Sequence, residues 1–319
     1  MLESKETYMK SSFPKKVLTP MGVEMLVERL GGVLSLTGDK EQMISSVASP
    51  REGVEGSLVF CRGAVANVVQ GSVGDTRASV VVAEVETDIR SGQTLIVVDD
   101  PLAWYIKALD ILFDSGRSAG VDPSARIATT ASLGEKITVG AGSWVDKECR
   151  IGNGCCIGVN CYLGPGTTLG KNVFVQDNVS IGGVGLGYHI TKEKERLFFP
   201  HLGAVLIAAD AVIGSGTVIV RGELDDTIIG ERTRIGNLVN IGHNVTVGDD
   251  CAISSGTCVA GGAIIGDRCN IAVGVSVNAK VVLEDDCQVG LGSVVTRKVF
   301  RGQSVFGCPA KLLRTMKRF

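Results

Sequence analysis

The chain has 319 residues, 42 of them Gly, with 45% hydrophobic, 21% charged and 5% aromatic residues and a net charge of −2. That length predicts one large or two ordinary domains, and the apolar share excludes disorder for most of the chain. Gly without a three-residue period excludes collagen, and the near-neutral charge offers no basis for bulk nucleic-acid binding.

Met1–Lys10 is polar and lacks the apolar segment of a signal peptide, and residues 1–19 read as a loose arm. No run approaches the roughly 18 apolar residues of a transmembrane helix, so no transmembrane segment is expected. A cytoplasmic protein is expected.

Residues 20–115 read as a small α/β domain. Met21–Leu30 has helical spacing of apolar residues, and Gly31-Gly32 follows as a stop signal. Strand-like runs follow at Ser57–Cys61, Ser79–Glu84 and Thr94–Val98. Asp99-Asp100-Pro101 opens a helix that Leu102–Phe113 continues, with Pro near its first turn. Ser115–Gly120 is the linker.

From Val121 every sixth residue is aliphatic, through Ile127, Leu133, Val139 and Val145 to Ile181. The frame breaks, resumes at Ile207, Ile213 and Ile219, and after four extra residues runs from Ile229 to Val295. The next residue is often Gly (Gly152, Gly158, Gly164, Gly170, Gly230, Gly236, Gly242, Gly248), which is expected to supply turn geometries with φ > 0. Such hexads predict a parallel β-helix with the aliphatic residue pointing inward. The pattern resembles the hexapeptide-repeat acyltransferases. That resemblance implies a left-handed β-helix of triangular section, about nine coils over residues 120–296, generally assembled as homotrimers with clefts between subunits.

Cys149, Cys155, Cys161, Cys251, Cys269 and Cys287 all stand four residues after an aliphatic position. They read as small buried groups in a reducing compartment. No metal is expected, because no CxxC pair occurs. One His in the coils and two in a loop also fall short of a three-His zinc site.

Two interruptions stand out. Residues 184–204 form an excursion loop holding Tyr188, His189 and His201, where the two His either meet an anionic substrate or lie on the surface. Arg221-Gly222-Glu223-Leu224-Asp225-Asp226-Thr227 is the second, with carboxylates that are solvated, orient an imidazole or bind an amino sugar. His243 follows two residues after the inward Ile241, a phase that sends its side chain out of the helix. Acyl transfer to an amine needs a base active near neutral pH, and imidazole suits this. Backbone N–H groups can stabilise the oxyanion. A metal-free mechanism with no permanently bound cofactor is expected.

Tyr188, the run Arg221-Gly222…Leu224-Asp225-Asp226-Thr227-Ile228-Ile229-Gly230, Asn237 and Ile241-Gly242-His243-Asn244-Val245 together resemble the UDP-3-O-acylglucosamine N-acyltransferase family of lipid A biosynthesis, over about residues 20–296. The resemblance implies that His243 is the general base. It also implies that the N-terminal module binds a uridine nucleotide and that acyl carrier protein delivers a hydroxyacyl chain. Phe60, Tyr188, Asp225, Asp226, Asn237 and Asn240 are the implied substrate contacts. Gly261, Lys280, Lys311 and Arg314 are the implied donor contacts.

The chain departs from the family pattern at three places. The acid seven positions before the base is Gly236, a second His is Lys280, and a Tyr accompanying Phe60 falls at about Ala66. Residues 297–319, expected to include a short helix, contain Gly307-Cys308-Pro309-Ala310-Lys311. This ending is similar to that of coenzyme A-dependent sugar and serine acetyltransferases. The alternatives are therefore a CoA-dependent nucleotide-sugar N-acetyltransferase and a non-catalytic trimeric nucleotide-sugar-binding scaffold.

Overall fold

The computed structural model describes residues 15–61, 76–113, 119–309 and 311–312. The chain divides into two units, residues 1–117 and 118–319. No helix among the described residues is long and apolar enough to cross a membrane.

The first unit is built on a six-stranded sheet. Its strands are β1 (Lys15–Gly22), β2 (Val33–Thr37), β3 (Met43–Val47), β4 (Ser57–Phe60), β5 (Val80–Ala83) and β6 (Thr94–Val98), in the order β1-β3-β4-β5-β6-β2. The middle pairings are parallel and the two edge pairings antiparallel. Strand β5, Val-Val-Val-Ala, is buried at every position, as expected where both faces of a parallel sheet are covered.

Helix α1 (Val23–Leu30) buries Val23 and Leu26 and ends at Gly31, whose φ of 63° and N–H bond to Val27 C=O close its last turn. Burial of each such side chain stabilises by about 1.5–3 kcal/mol. Asp100 caps α2 (Pro101–Leu112) by accepting from Ala103 N–H at 3.0 Å. The sequence reading of this unit was incomplete. Strands β1, β2 and β3 escaped it, Met21 belongs to β1 rather than to α1, and Lys15–Thr19, placed in the arm, is strand. Residues 1–14 lie outside the described residues.

The second unit is a parallel β-helix with three sheets, one to each hexad of a coil. Val139 pairs with Ile157, and Val145 with Leu163, eighteen residues on. The inward column is fully buried at Ile157, Leu163, Ile181, Ile213, Ile219 and Ile241. Leu169 pairs with Ile207 across the excursion, and Ile219 with Ile241 across the second interruption. Both insertions therefore leave the stack in register.

The glycines after the inward residue work differently from expectation. A Cβ on Gly152 would stand 2.5 Å from Gly170 O, and one on Gly242 would stand 2.7 Å from Gly261 N. They are small because neighbouring coils touch there. Positive φ falls two residues later, at Gly154 (74°) and Asn244 (57°).

The six hexad Cys are all buried, and the small position also has a polar duty. Cys155 Sγ donates to Gly170 C=O at 3.0 Å, as Ser143 Oγ does to Gly158 C=O at 2.7 Å and Thr233 Oγ1 to Gly248 C=O at 2.8 Å. Each satisfies a turn carbonyl of the next coil. Ser304–Phe306 adds a further strand and Lys311–Leu312 pairs antiparallel with it; among the described residues of 297–319 there is no helix. Residues 313–319, Arg314 among them, lie outside the described residues.

Candidate active site

His243 occupies the turn between the strands Asn240–Ile241 and Thr246–Val247. Ile241 and Val245 are buried on either side of it, so the imidazole must point outward. About a third of the His243 side chain, 31%, is exposed.

Asn244 organises this turn. Its N–H donates to Thr227 Oγ1 at 2.9 Å, and its Nδ2 donates to Asp225 C=O at 3.0 Å. Its Oδ1 accepts from Glu223 N–H at 3.1 Å and lies 2.9 Å from His243 Nδ1. The two backbone partners fix which amide atom is oxygen. An amide oxygen only accepts, so the proton of neutral His243 sits on Nδ1 and the lone pair on Nε2. Glu223 adds a carboxylate, its Oε1 standing 3.9 Å from Nδ1.

Nε2 faces the next coil. A Cβ on Gly261 would lie 2.5 Å from it, so a side chain there would displace the ring. Gly261 N–H donates to no acceptor among the described residues. Along another edge of the helix, Asp249 Oδ1 accepts from Glu231 N–H and Asp267 Oδ1 from Asp249 N–H. Eighteen residues on from Gly261 stands Ala279, which has no oxygen to offer, and the donor stays open beside Nε2.

The excursion loop folds back over this turn. Tyr188–Ile190 and Arg196–Phe198 form an antiparallel pair. The return strand is tied to the second interruption by Leu202 N–H to Glu223 C=O at 2.6 Å, Ala204 N–H to Asp226 Oδ1 at 2.7 Å and Arg221 Nε to Gly203 C=O at 2.6 Å. These bonds bring His201 to His243, with ring centroids 5.5 Å apart and planes at 89°.

Among the residues singled out from sequence, Gly261, Asp225 and Asp226 meet around His243. Asp225 does so through its carbonyl and Asp226 through its hold on the loop. Tyr188 is exposed on the loop, as is His189. Asn240 is exposed on the strand entering the turn, and Asn237 Oδ1 accepts from Ser215 N–H at 2.9 Å. Lys280 N–H donates to Gly261 C=O at 3.1 Å. Lys311 is exposed on its strand. Phe60 is in the other unit, packed 4.9 Å from the Tyr105 ring, and Ala66 lies outside the described residues. Sequence reading gave Asn244 no role, offered His201 only as an anionic-substrate contact or a surface group, and left open which carboxylate of the Arg221–Thr227 run, Glu223 included, would orient the imidazole.

The family model described as bacterial transferase hexapeptide (six repeats) matches residues 148–183 and 226–261. The chain is 37% identical over 259 residues to a UDP-3-O-acylglucosamine N-acyltransferase of Methylobacillus flagellatus, covering 75% of this chain and 72% of that one. It is also 37% identical over 244 residues to the protein of that name from Delftia acidovorans, with the same coverage. The crystal structure of UDP-N-acetylglucosamine O-acyltransferase from Moraxella catarrhalis superposes with a TM-score of 0.55 at 25% identity, over 60% of this chain and 73% of that one. The fold is shared with the Bacteroides fragilis UDP-N-acetylglucosamine acyltransferase, at a TM-score of 0.56, 19% identity and coverage of 61% and 74%. A hexad-built β-helix, a histidine turn set over bare backbone, and relatives at this identity and coverage lead to one conclusion: the chain belongs to the UDP-3-O-acylglucosamine N-acyltransferase family.

Proposed function

We propose that the protein transfers an acyl group from a thioester to the amine of a UDP-linked amino sugar in lipid A synthesis, the activity for which its relatives are named. The observation that carries this reading is the orientation of His243, whose Nδ1 is held by Asn244 and whose Nε2 lone pair opens over Gly261. In the reaction Nε2 takes the proton of the substrate ammonium, and the freed amine attacks the thioester carbonyl. The open Gly261 N–H meets the oxygen that becomes negative. Glu223 stands where it stabilises the imidazolium formed meanwhile. Collapse of the tetrahedral intermediate expels the thiol, with His243 returning its proton to the leaving sulfur and the second proton of the attacking nitrogen passing to solvent to leave the neutral amide.

The donor is acyl carrier protein in the leading reading and coenzyme A in the alternative. A homotrimer completes the cleft. Its support is an outward stripe on the sheet that leaves the His243 turn, in which Leu206, Ile228, Thr246, Ile264 and Val282 pair in sequence. Ile228 and Ile264 in it are exposed, and an apolar stripe of this kind favours a subunit contact. A cytoplasmic setting is supported by the absence of a disulfide at any of the ten Cys.

The decisive assay supplies UDP-acylglucosamine with hydroxyacyl carrier protein in one arm and a short acyl-CoA in the other. Amide formation with the carrier protein is expected. Turnover with acyl-CoA alone favours the acetyltransferase reading, and nucleotide-sugar binding without turnover by either donor favours the scaffold.

A further inference from the structure

His201, Glu223 and His243 come from the excursion loop, the second interruption and a coil turn. Each nonetheless offers a ligand atom, and these atoms all lie within 4.8 Å of one another. His243 Nδ1 and Glu223 Oε1 are 3.9 Å apart. Two ligands on one tetrahedral zinc ion, each at about 2.0–2.2 Å, stand about 3.4 Å apart. That pair is thus within about 0.5 Å of bridging distance, and side-chain adjustment of roughly 1.5 Å brings in the third.

His201 itself points to a ligand. The residue is only 6% exposed. Nδ1 donates to Phe199 C=O at 3.0 Å, which leaves the lone pair on Nε2, and Nε2 is buried with no hydrogen-bond partner. A metal-binding imidazole is commonly held this way, its second nitrogen bonded to a carbonyl or carboxylate. The loop is shaped around the group. A Cβ on Gly185 would stand 3.0 Å from Nε2, and one on Gly187 would stand 2.9 Å from the His201 ring and 3.1 Å from Glu223 Oε1.

We propose that His201, Glu223 and His243 bind a divalent transition-metal ion, zinc matching the two imidazoles and one carboxylate, and that the bound ion holds the acyltransferase inactive. The second half rests on the reading of His243 as general base. Coordination through Nδ1 requires the other neutral tautomer: Nδ1 gives its proton to solvent and Nε2 takes one up from solvent, with no net change in the charge of the ring. Nε2 then has no lone pair left for the substrate ammonium. Asn244 Oδ1 gives up the imidazole and keeps the Glu223 N–H. Metal and substrate proton therefore compete for one ring.

The test titrates metal-free protein with Co²⁺ and reads visible absorption, with no substrate present. The expected result is one equivalent per chain, with the ligand-field bands of a nitrogen–oxygen site, displaced by Zn²⁺ and lost in both His201→Gln and Glu223→Gln. Circular dichroism checks that each variant keeps its fold. No uptake would overturn the site. So would uptake that both folded variants retain, including a sulfur charge-transfer band from the exposed Cys258 and Cys308. In parallel, Zn²⁺ should suppress acyl transfer by the unmodified protein at least tenfold, reversibly by chelator, and leave the residual activity of His201→Gln unaffected. Cobalt bands with zinc-insensitive acyl transfer would overturn the inhibition. Cobalt bands in a protein that acylates no amino sugar would overturn the acyltransferase reading while the metal site stands.

Discussion

Glu223 Oε1 stands 3.9 Å from His243 Nδ1, and Asn244 Oδ1 accepts from the Glu223 N–H while also meeting the imidazole. The pair joins an insertion to a coil. It sets a carboxylate beside the proposed base, in a chain with Gly236 at the position where the family resemblance implies an acid.

Replacing Glu223 by Gln keeps the backbone bond to Asn244 and removes the charge. Two unit charges about 4 Å apart interact by about 4 kcal/mol at an effective dielectric of 20, and partial exposure reduces this to about 1 kcal/mol. Since 1.4 kcal/mol is about tenfold in rate, kcat should fall about fivefold with KM little changed. Steady-state kinetics on the amino-sugar substrate check this, and Glu223→Asp should recover part of the loss.

Gly261 tests the space around Nε2. Its φ is not in the left-handed region, so Gly261→Ala suits the backbone, but the new Cβ would stand 2.5 Å from Nε2. A misplacement of about 1 Å at a catalytic group can cost about a hundredfold. The variant should keep its β-sheet circular dichroism and lose at least about that factor in kcat.

Asp226 is expected from the family resemblance to bind substrate, yet its Oδ1 accepts from Ala204 N–H at 2.7 Å. A hydrogen bond to a charged group is worth about 1.5–3 kcal/mol. Asp226→Ala should therefore loosen the loop, and trypsin should cut at Lys192, Lys194 or Arg196 about tenfold faster. Unchanged proteolysis with a raised KM for the sugar would return Asp226 to substrate binding.

The hexad made the β-helix legible because its period is imposed by the stack itself: an inward Ile219 must sit on Ile241 whatever the loops do. His243 was legible for the same reason, since its phase after Ile241 sends it outward. The neighbours of His243 obey no period. Glu223 and His201 reach it through insertions whose path is set by side-chain caps, Asp226 on Ala204 and Asn244 on Asp225. No spacing rule encodes such caps. The glycines misled in a different way: close contact between coils and left-handed φ select the same residue for different physical reasons. In the first unit, β1 lies at a sheet edge with an irregular register between Lys16 and Met21, and its Lys-Lys and Thr-Pro composition hides the strand.

The buried thiols give a chemical check on the helix interior. Burial pushes the Cys149 thiol up to about 11, so it stays protonated, and unreactive on that count, at pH 8. Alkylation at that pH followed by mass spectrometry should modify the exposed Cys308 and leave Cys149 untouched until the protein is unfolded. Raising the pH toward 11 should not expose it while the fold holds, because access limits the reaction as well as ionisation.

The central claim is that His243 Nε2 carries the proton out of the amine. Single-turnover acyl transfer to UDP-acylglucosamine, compared between the unmodified protein and His243→Ala with matched circular dichroism, tests it most directly. General acid–base catalysis contributes about 10²–10⁴-fold. The account predicts a loss within that range for His243→Ala, with binding of the nucleotide sugar unchanged. Full acyl-transfer rate in the folded His243→Ala protein would contradict it.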